Sequence, residues 1–188
     1  MSLQTWQETI VQSTTDGPTL TAAARASCIP VANRIVLPNN FFYIQRAMKI
    51  MMSGRISCVV TTPGTARFDI CLGSAGTVIV FDTLALNLNV VAKTNVPWYF
   101  EVKLVCRAVG TGTSTNFFPM GGYFSSEAVV GSPLPTVGGN GSLNVPVGAP
   151  AVGAGCDNTA ASALDVFFTQ TVATGSMTVH NYQVDILN

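Results

Sequence analysis

Pro97-Trp98-Tyr99-Phe100-Glu101-Val102-Lys103-Leu104-Val105-Cys106-Arg107 is the stretch that decides the fold. With a period of two it sets Trp98, Phe100, Val102, Leu104 and Cys106 on one side and Tyr99, Glu101, Lys103, Val105 and Arg107 on the other. That is the alternation of a strand covering a core with one face. A helix would scatter the same apolar side chains around its cylinder, and Pro97 would fit only in its first turn. The segment therefore predicts a long strand of a β protein.

Its neighbours continue the pattern. Gly110-Thr111-Gly112-Thr113-Ser114-Thr115 closes the strand as a hairpin loop, Phe117 to Val130 supplies the return, and Gly121-Gly122 marks a bend. Before the strand, Leu84 to Thr94 is apolar but punctuated by asparagines. Arg67-Phe68-Asp69-Ile70-Cys71-Leu72 alternates with Phe68, Ile70 and Leu72 inward, and Gly73-Ser74-Ala75-Gly76 turns it into Thr77 to Asp82 as a hairpin. Thr61-Thr62-Pro63-Gly64-Thr65 suits a type II turn. Further upstream, Arg34 to Leu37 is a short strand that ends at Pro38-Asn39-Asn40. Arg46 to Ser53 and Arg55 to Val60 share one β pattern that Gly54 interrupts, where a bulge or sharp bend is expected. Ala163 to Val172 and Ser176 to Leu187 form a last pair, with His180, Tyr182, Val184 and Ile186 on one face of the final strand.

Two regions differ. Residues 131–160, with Pro133, Pro135, Pro146, Pro150 and repeated glycines, predict a long excursion with at most one edge strand, Gly141 to Val147, because proline cannot donate to a ladder. Residues 1–33 are too short to bury a core of their own and read as an N-terminal arm. The arm holds a turn cluster at Ser13 to Pro18, a short helix at Thr21 to Ala26 and Trp6, which reads either as an anchor at the far end or as an incidental residue of a disordered tail, and is expected to reach onto a neighbouring subunit.

About eight or nine strands at regular spacing predict an all-β fold, a two-sheet antiparallel β-sandwich occupying 34–188 as a single domain. Jelly roll is the expected topology, and an immunoglobulin-like sandwich is the other that the pattern allows.

Composition points to assembly. The chain is 48% hydrophobic and 10% charged, where ordinary globular chains carry roughly 25% charged residues. Nine Lys+Arg against nine Asp+Glu leave no net charge to keep copies apart, so much of the surface is expected to be covered by copies or partners. A polar but uncharged surface is the alternative. Without a Lys/Arg cluster there is nothing to neutralise a phosphate backbone, so no nucleic acid partner is expected. The most apolar stretch, Thr77 to Ala92, is broken by Asp82, Asn87 and Asn89, which predicts no membrane span. The first residues, Met1 to Glu8, lack a basic segment followed by an apolar run, and predict synthesis in a cytoplasm.

No constellation for chemistry emerges, and no catalytic, cofactor-binding or metal-ligating residue is assigned. Cys28, Cys58, Cys71, Cys106 and Cys156 are odd in number and widely spaced, which favours free thiols over a disulfide framework or a zinc site. His180, the single histidine, is expected to be structural, since no nucleophile motif accompanies it. The acids are scattered, so neither a calcium loop nor a carboxylate pair is indicated. Trp98, Tyr99, Phe41, Phe42 and Tyr43 read either as packed core and interface or as a sugar-binding platform.

Gly54-Arg55-Ile56-Ser57-Cys58-Val59-Val60-Thr61-Thr62-Pro63-Gly64-Thr65, Phe68-Asp69-Ile70-Cys71-Leu72-Gly73 and Val91-Ala92-Lys93-Thr94-Asn95-Val96-Pro97-Trp98 resemble phrases of a family of small virion proteins of tailed bacteriophages. The resemblance continues through Leu104-Val105-Cys106-Arg107-Ala108-Val109-Gly110 and the 131–155 segment, covering roughly residues 34–188. It implies a non-enzymatic jelly-roll module that decorates or cements the capsid shell, forms a homotrimer, contacts the major capsid protein and carries no cofactor. The alternative is a tail fibre or tail-tip receptor-binding module, whose exposed aromatics and 131–160 loop recognise a host glycan. A cellular lectin or enzyme is a third reading, disfavoured because a secreted lectin normally carries an export signal.

Overall fold

The computed structural model describes residues 6–59, 62–73, 76–129 and 142–187. Twelve strands appear among them: β1 Gln7–Gln12, β2 Arg25–Ser27, β3 Ile35–Leu37, β4 Ala47–Cys58, β5 Thr65–Leu72, β6 Val78–Asp82, β7 Leu86–Asn87, β8 Lys93–Ala108, β9 Asn116–Ser125, β10 Ser142–Asn144, β11 Ser162–Gln170 and β12 Ser176–Leu187. All pair antiparallel in two sheets. Sheet 1 runs β1-β12-β4-β8-β9-β10; sheet 2 runs β2-β11-β5-β6, with β3 also on β11 and β7 also on β5.

The first strand pairs with the last in sheet 1, the second with the last but one in sheet 2, and the chain crosses between the layers in the order of a jelly roll. The residues read as an arm take part in this: β1 lies on β12, with Glu8 opposite Ile186, and β2 lies on β11, with Ala26 opposite Phe168. No helix forms at Thr21 to Ala26. That run bends and then enters β2, whose pairing with β11 satisfies the backbone that a one-turn helix leaves open.

β8 behaves as its alternation predicts, with Trp98, Phe100, Val102, Leu104 and Cys106 buried and Arg107 exposed. The core is built around Phe68 of β5. Its ring lies 5.2 Å from Trp98, 5.7 Å from Phe100, 5.6 Å from Phe124 and 5.1 Å from Phe168, so one side chain joins both sheets. Complete burial of such a ring contributes about 2 kcal/mol or more of transfer free energy, and edge and offset contacts add to it.

Gly54 does not bend β4, which runs unbroken through it. The irregularity lies on the partner strand: Gly54 is opposite Val179 and Ser53 opposite Asn181, leaving His180 as an extra residue. A Cβ on Gly54 would come within 1.9 Å of the Thr178 carbonyl oxygen, so glycine is required by this close approach. The bulge also slips the phase of β12. Met177 and Val179 point inward before it and Tyr182, Val184 and Ile186 after it, while His180 turns outward, correcting the face expected for that residue.

Candidate functional site

Register decides which outward side chains of sheet 1 become neighbours. Ser53, Tyr99 and Ser125 form one row across β4, β8 and β9. Met51, Glu101, Tyr123 and, from β10, Asn144 form the next, and Lys49 faces Lys103 in the third. β9 breaks the ladder here, because Met120 and Gly121 together stand opposite Lys103. The expected bend at Gly121-Gly122 is thus a β-bulge. Gly121 has φ 125°, in the region that favours glycine, and a Cβ on Gly122 would lie 2.6 Å from the Glu101 carbonyl oxygen.

The missing side chains leave a bare floor between β8 and β9, and the chain beyond β10 forms a wall beside it. The result is an open cleft of about 730 Å³ lined by Glu101, Lys103, Met120, Tyr123, Asn144 and Pro146, among others. Tyr123 stacks on Tyr99 with ring centroids 5.4 Å apart and planes inclined by 27°. Tyr123 lines this cleft, whereas Tyr99 lines a smaller depression of about 180 Å³ with Met51, Asn181 and Gln183. Each depression therefore presents one tyrosine beside amide or charged groups.

The polar groups are held in place. Tyr99 donates its hydroxyl to Glu101 Oε2 at 2.8 Å, and Lys49 Nζ lies 3.0 Å from Glu101 Oε1. Burial, and then the Glu101 carboxylate, hold the Tyr99 hydroxyl above the ordinary phenol range, so it remains a donor. Ring faces for apolar CH groups, beside amide, carboxylate and ammonium groups for hydroxyls, suit a flat, polyhydroxylated ligand.

Of the aromatic set singled out in the sequence, only Tyr99 reaches this face. Trp98 is buried against Phe68 and Phe124, and Phe42 is buried edge-on to Phe117 at 4.7 Å. Phe41 and Tyr43 lie under the Arg46 guanidinium, at 4.2 and 5.2 Å. Tyr123 was not anticipated. Its outward direction was readable from the inward Phe124 beside it, but its meeting with Tyr99 depends on the cross-strand register. The described part of the 131–160 excursion supplies β10 and the cleft wall, and residues 130–141 lie outside the described residues.

His180 sits at the surface with Nδ1 2.8 Å from Asp16 Oδ1. All five cysteines are free and buried, and burial pushes the Cys71 and Cys156 thiols up to about 11, far from reactive thiolates. Among the described residues, no three His, Cys, Asp or Glu side chains are grouped to hold a metal, and no helix is long and apolar enough to cross a membrane.

The outward side of sheet 2 is closed by ion pairs. Arg25 Nε donates to Asp69, its Nη2 contacts Cys71 Sγ at 2.9 Å, and its guanidinium lies 3.9 Å above the Phe167 ring. Arg67 forks onto Asp82, and Arg34 lies 3.4 Å from Asp165, which also accepts from Ser27 Oγ at 2.6 Å.

No family model matches the chain, and no curated protein matches it. Among solved structures, the CBM2 module of the evolved Dit of Lactobacillus casei BL23 phage J-1 is similar over 99% of this chain and 98% of its own, at 12% identity and a TM-score of 0.38. A likeness this distant assigns no role to any residue.

Proposed function

We propose that this chain is a non-enzymatic structural module of a tailed-bacteriophage virion that binds a host-surface saccharide through the outward face of sheet 1. The observation that carries the binding role is the stacked Tyr99–Tyr123 pair standing between two open depressions, with Glu101, Lys103, Asn144, Asn181 and Gln183 around it. The virion setting rests on the strand and turn phrases of residues 34–188, and homotrimeric assembly is proposed with it. Tyr123 is 38% exposed, so truncating it removes binding surface with little effect on folding. On a printed array of envelope-type oligosaccharides, the protein is expected to retain a defined subset, and Tyr123→Ala to weaken that retention about tenfold or more. Retention of no saccharide, or retention unchanged in Tyr123→Ala, overturns the reading.

Cementing of the head shell through contacts with the major capsid protein is the second reading, favoured by exposed Val31 (74%), Val36 (67%) and Val90 (64%) on a chain without net charge. Deleting residues 1–33 is a poor test of it, because that removes an edge strand from each sheet. Saturable co-sedimentation with empty shells, lost in Val36→Asp and kept in Tyr123→Ala, is the result that favours cementing over saccharide binding.

A further inference from the structure

Among the described residues, Lys103 is the charged group of the large cleft that has no ion-pair partner. It faces Lys49 directly across β4 and β8, a like-charge pair that needs carboxylates nearby. Glu101, two residues away on the same face, is already held by other partners, since Oε1 takes the Lys49 ammonium at 3.0 Å and Oε2 takes the Tyr99 hydroxyl at 2.8 Å. Among the described residues, no other carboxylate pairs with Lys103. Most other cations are covered or paired. Arg25, Arg34, Arg67 and Lys93 each meet an acid, and Arg46 and Arg107 instead cover aromatic rings, so among the cations Lys103 is set apart by lining an open cleft, and with the whole chain neutral its charge does not reflect an overall excess. The bulge at Met120–Gly121 places a glycine opposite Lys103 and leaves its surroundings open to the cleft.

A neutral sugar can offer this ammonium only a hydroxyl, which leaves its charge unmatched. A carboxylate or phosphate seated beside it would gain a charge-assisted hydrogen bond, while Glu101 repels the same group from the neighbouring position and so fixes which way round the ligand lies. We infer that the cleft takes an anionic saccharide, with its acidic group on Lys103 and a sugar ring against Tyr123. This inference rests on the saccharide-binding reading above and specifies its ligand class.

The test is an array of uronate-bearing and phosphate-bearing oligosaccharides, each printed beside its neutral congener, followed by titration of the best-retained pair. The wild-type protein is expected to bind an anionic member about tenfold more tightly than its congener in dilute buffer, with the preference shrinking as salt rises to about 0.5 M. Lys103→Met should abolish the preference by weakening the anionic member far more than its neutral congener, without lowering the thermal midpoint, and Lys103→Arg should restore it. Whether uronates or phosphates are preferred identifies the acidic group. Equal binding of the two congeners, or a preference that survives Lys103→Met, overturns the anionic ligand but leaves the saccharide reading standing. Retention of neither kind overturns both.

Discussion

The outward faces of the two sheets use the same residue types in opposite ways. On sheet 2, Arg25, Arg34 and Arg67 are matched by Asp69, Asp82 and Asp165, and Arg25 also covers Phe167 and Cys71. On sheet 1, Glu101 is shared between Lys49 and Tyr99, Lys103 is left without an acid, and the Tyr99–Tyr123 pair stands beside open depressions. Where long cationic stems lie over aromatic rings and meet buried acids, the face is closed and polar groups serve stability. Where the acid is already engaged and the bulge removes side chains, the Lys103 ammonium is left facing an open cleft.

Both faces stand on one core, and the largest expected effect erases the contrast between them. Phe68→Ala removes the ring that touches four aromatic neighbours from both sheets, and should cost about 4 kcal/mol. Urea unfolding is the measurement, and saccharide retention should fall with the folded fraction. Asp69→Ala separates the faces. Asp69 is 1% exposed and paired with Arg25, whose side chain keeps 33% of its exposure and can rehydrate, so the loss should be roughly 2 kcal/mol, below that of a fully buried pair. The same variant should leave saccharide binding intact, and a parallel loss of binding would mean that the two faces are coupled.

The smallest effect is confined to alkaline solution. Burial first raises the Cys71 thiol to about 11, against an ordinary value near 9. The folded state therefore holds this proton after the unfolded chain has released it. The stabilisation is fully present below about pH 9 and is lost as pH rises through about 11, so the denaturation midpoint should fall across that window. Replacing Cys71 with Ala should flatten the fall, and an unchanged slope would place the titrating group elsewhere.

Much of this architecture is legible along the chain. The alternation at Trp98 to Cys106, the antiparallel pairing of β5 with β6 and the return from Phe117 follow from a side-chain period of two and from turn residues, and these are local properties. β1 and β2 were less accessible. Their stability comes from β12 and β11, far away in sequence, and alone they show only short polar and alanine-rich runs. His180 illustrates the same limit, since one extra residue opposite Gly54 reverses the face that simple alternation assigns to it.

Alternation along the chain is enough to establish an all-β sandwich, the inward faces of its main strands and the shared outward face of Tyr99, Glu101 and Lys103, because side-chain alternation is set by backbone geometry. That Tyr123 lies against Tyr99, that the glycines of β9 open a cleft, and that Glu101 is paired while Lys103 is not, emerge only when the strands are assembled. Those outcomes depend on cross-strand register and on two bulges, which arise from packing between segments that have no local signal for one another.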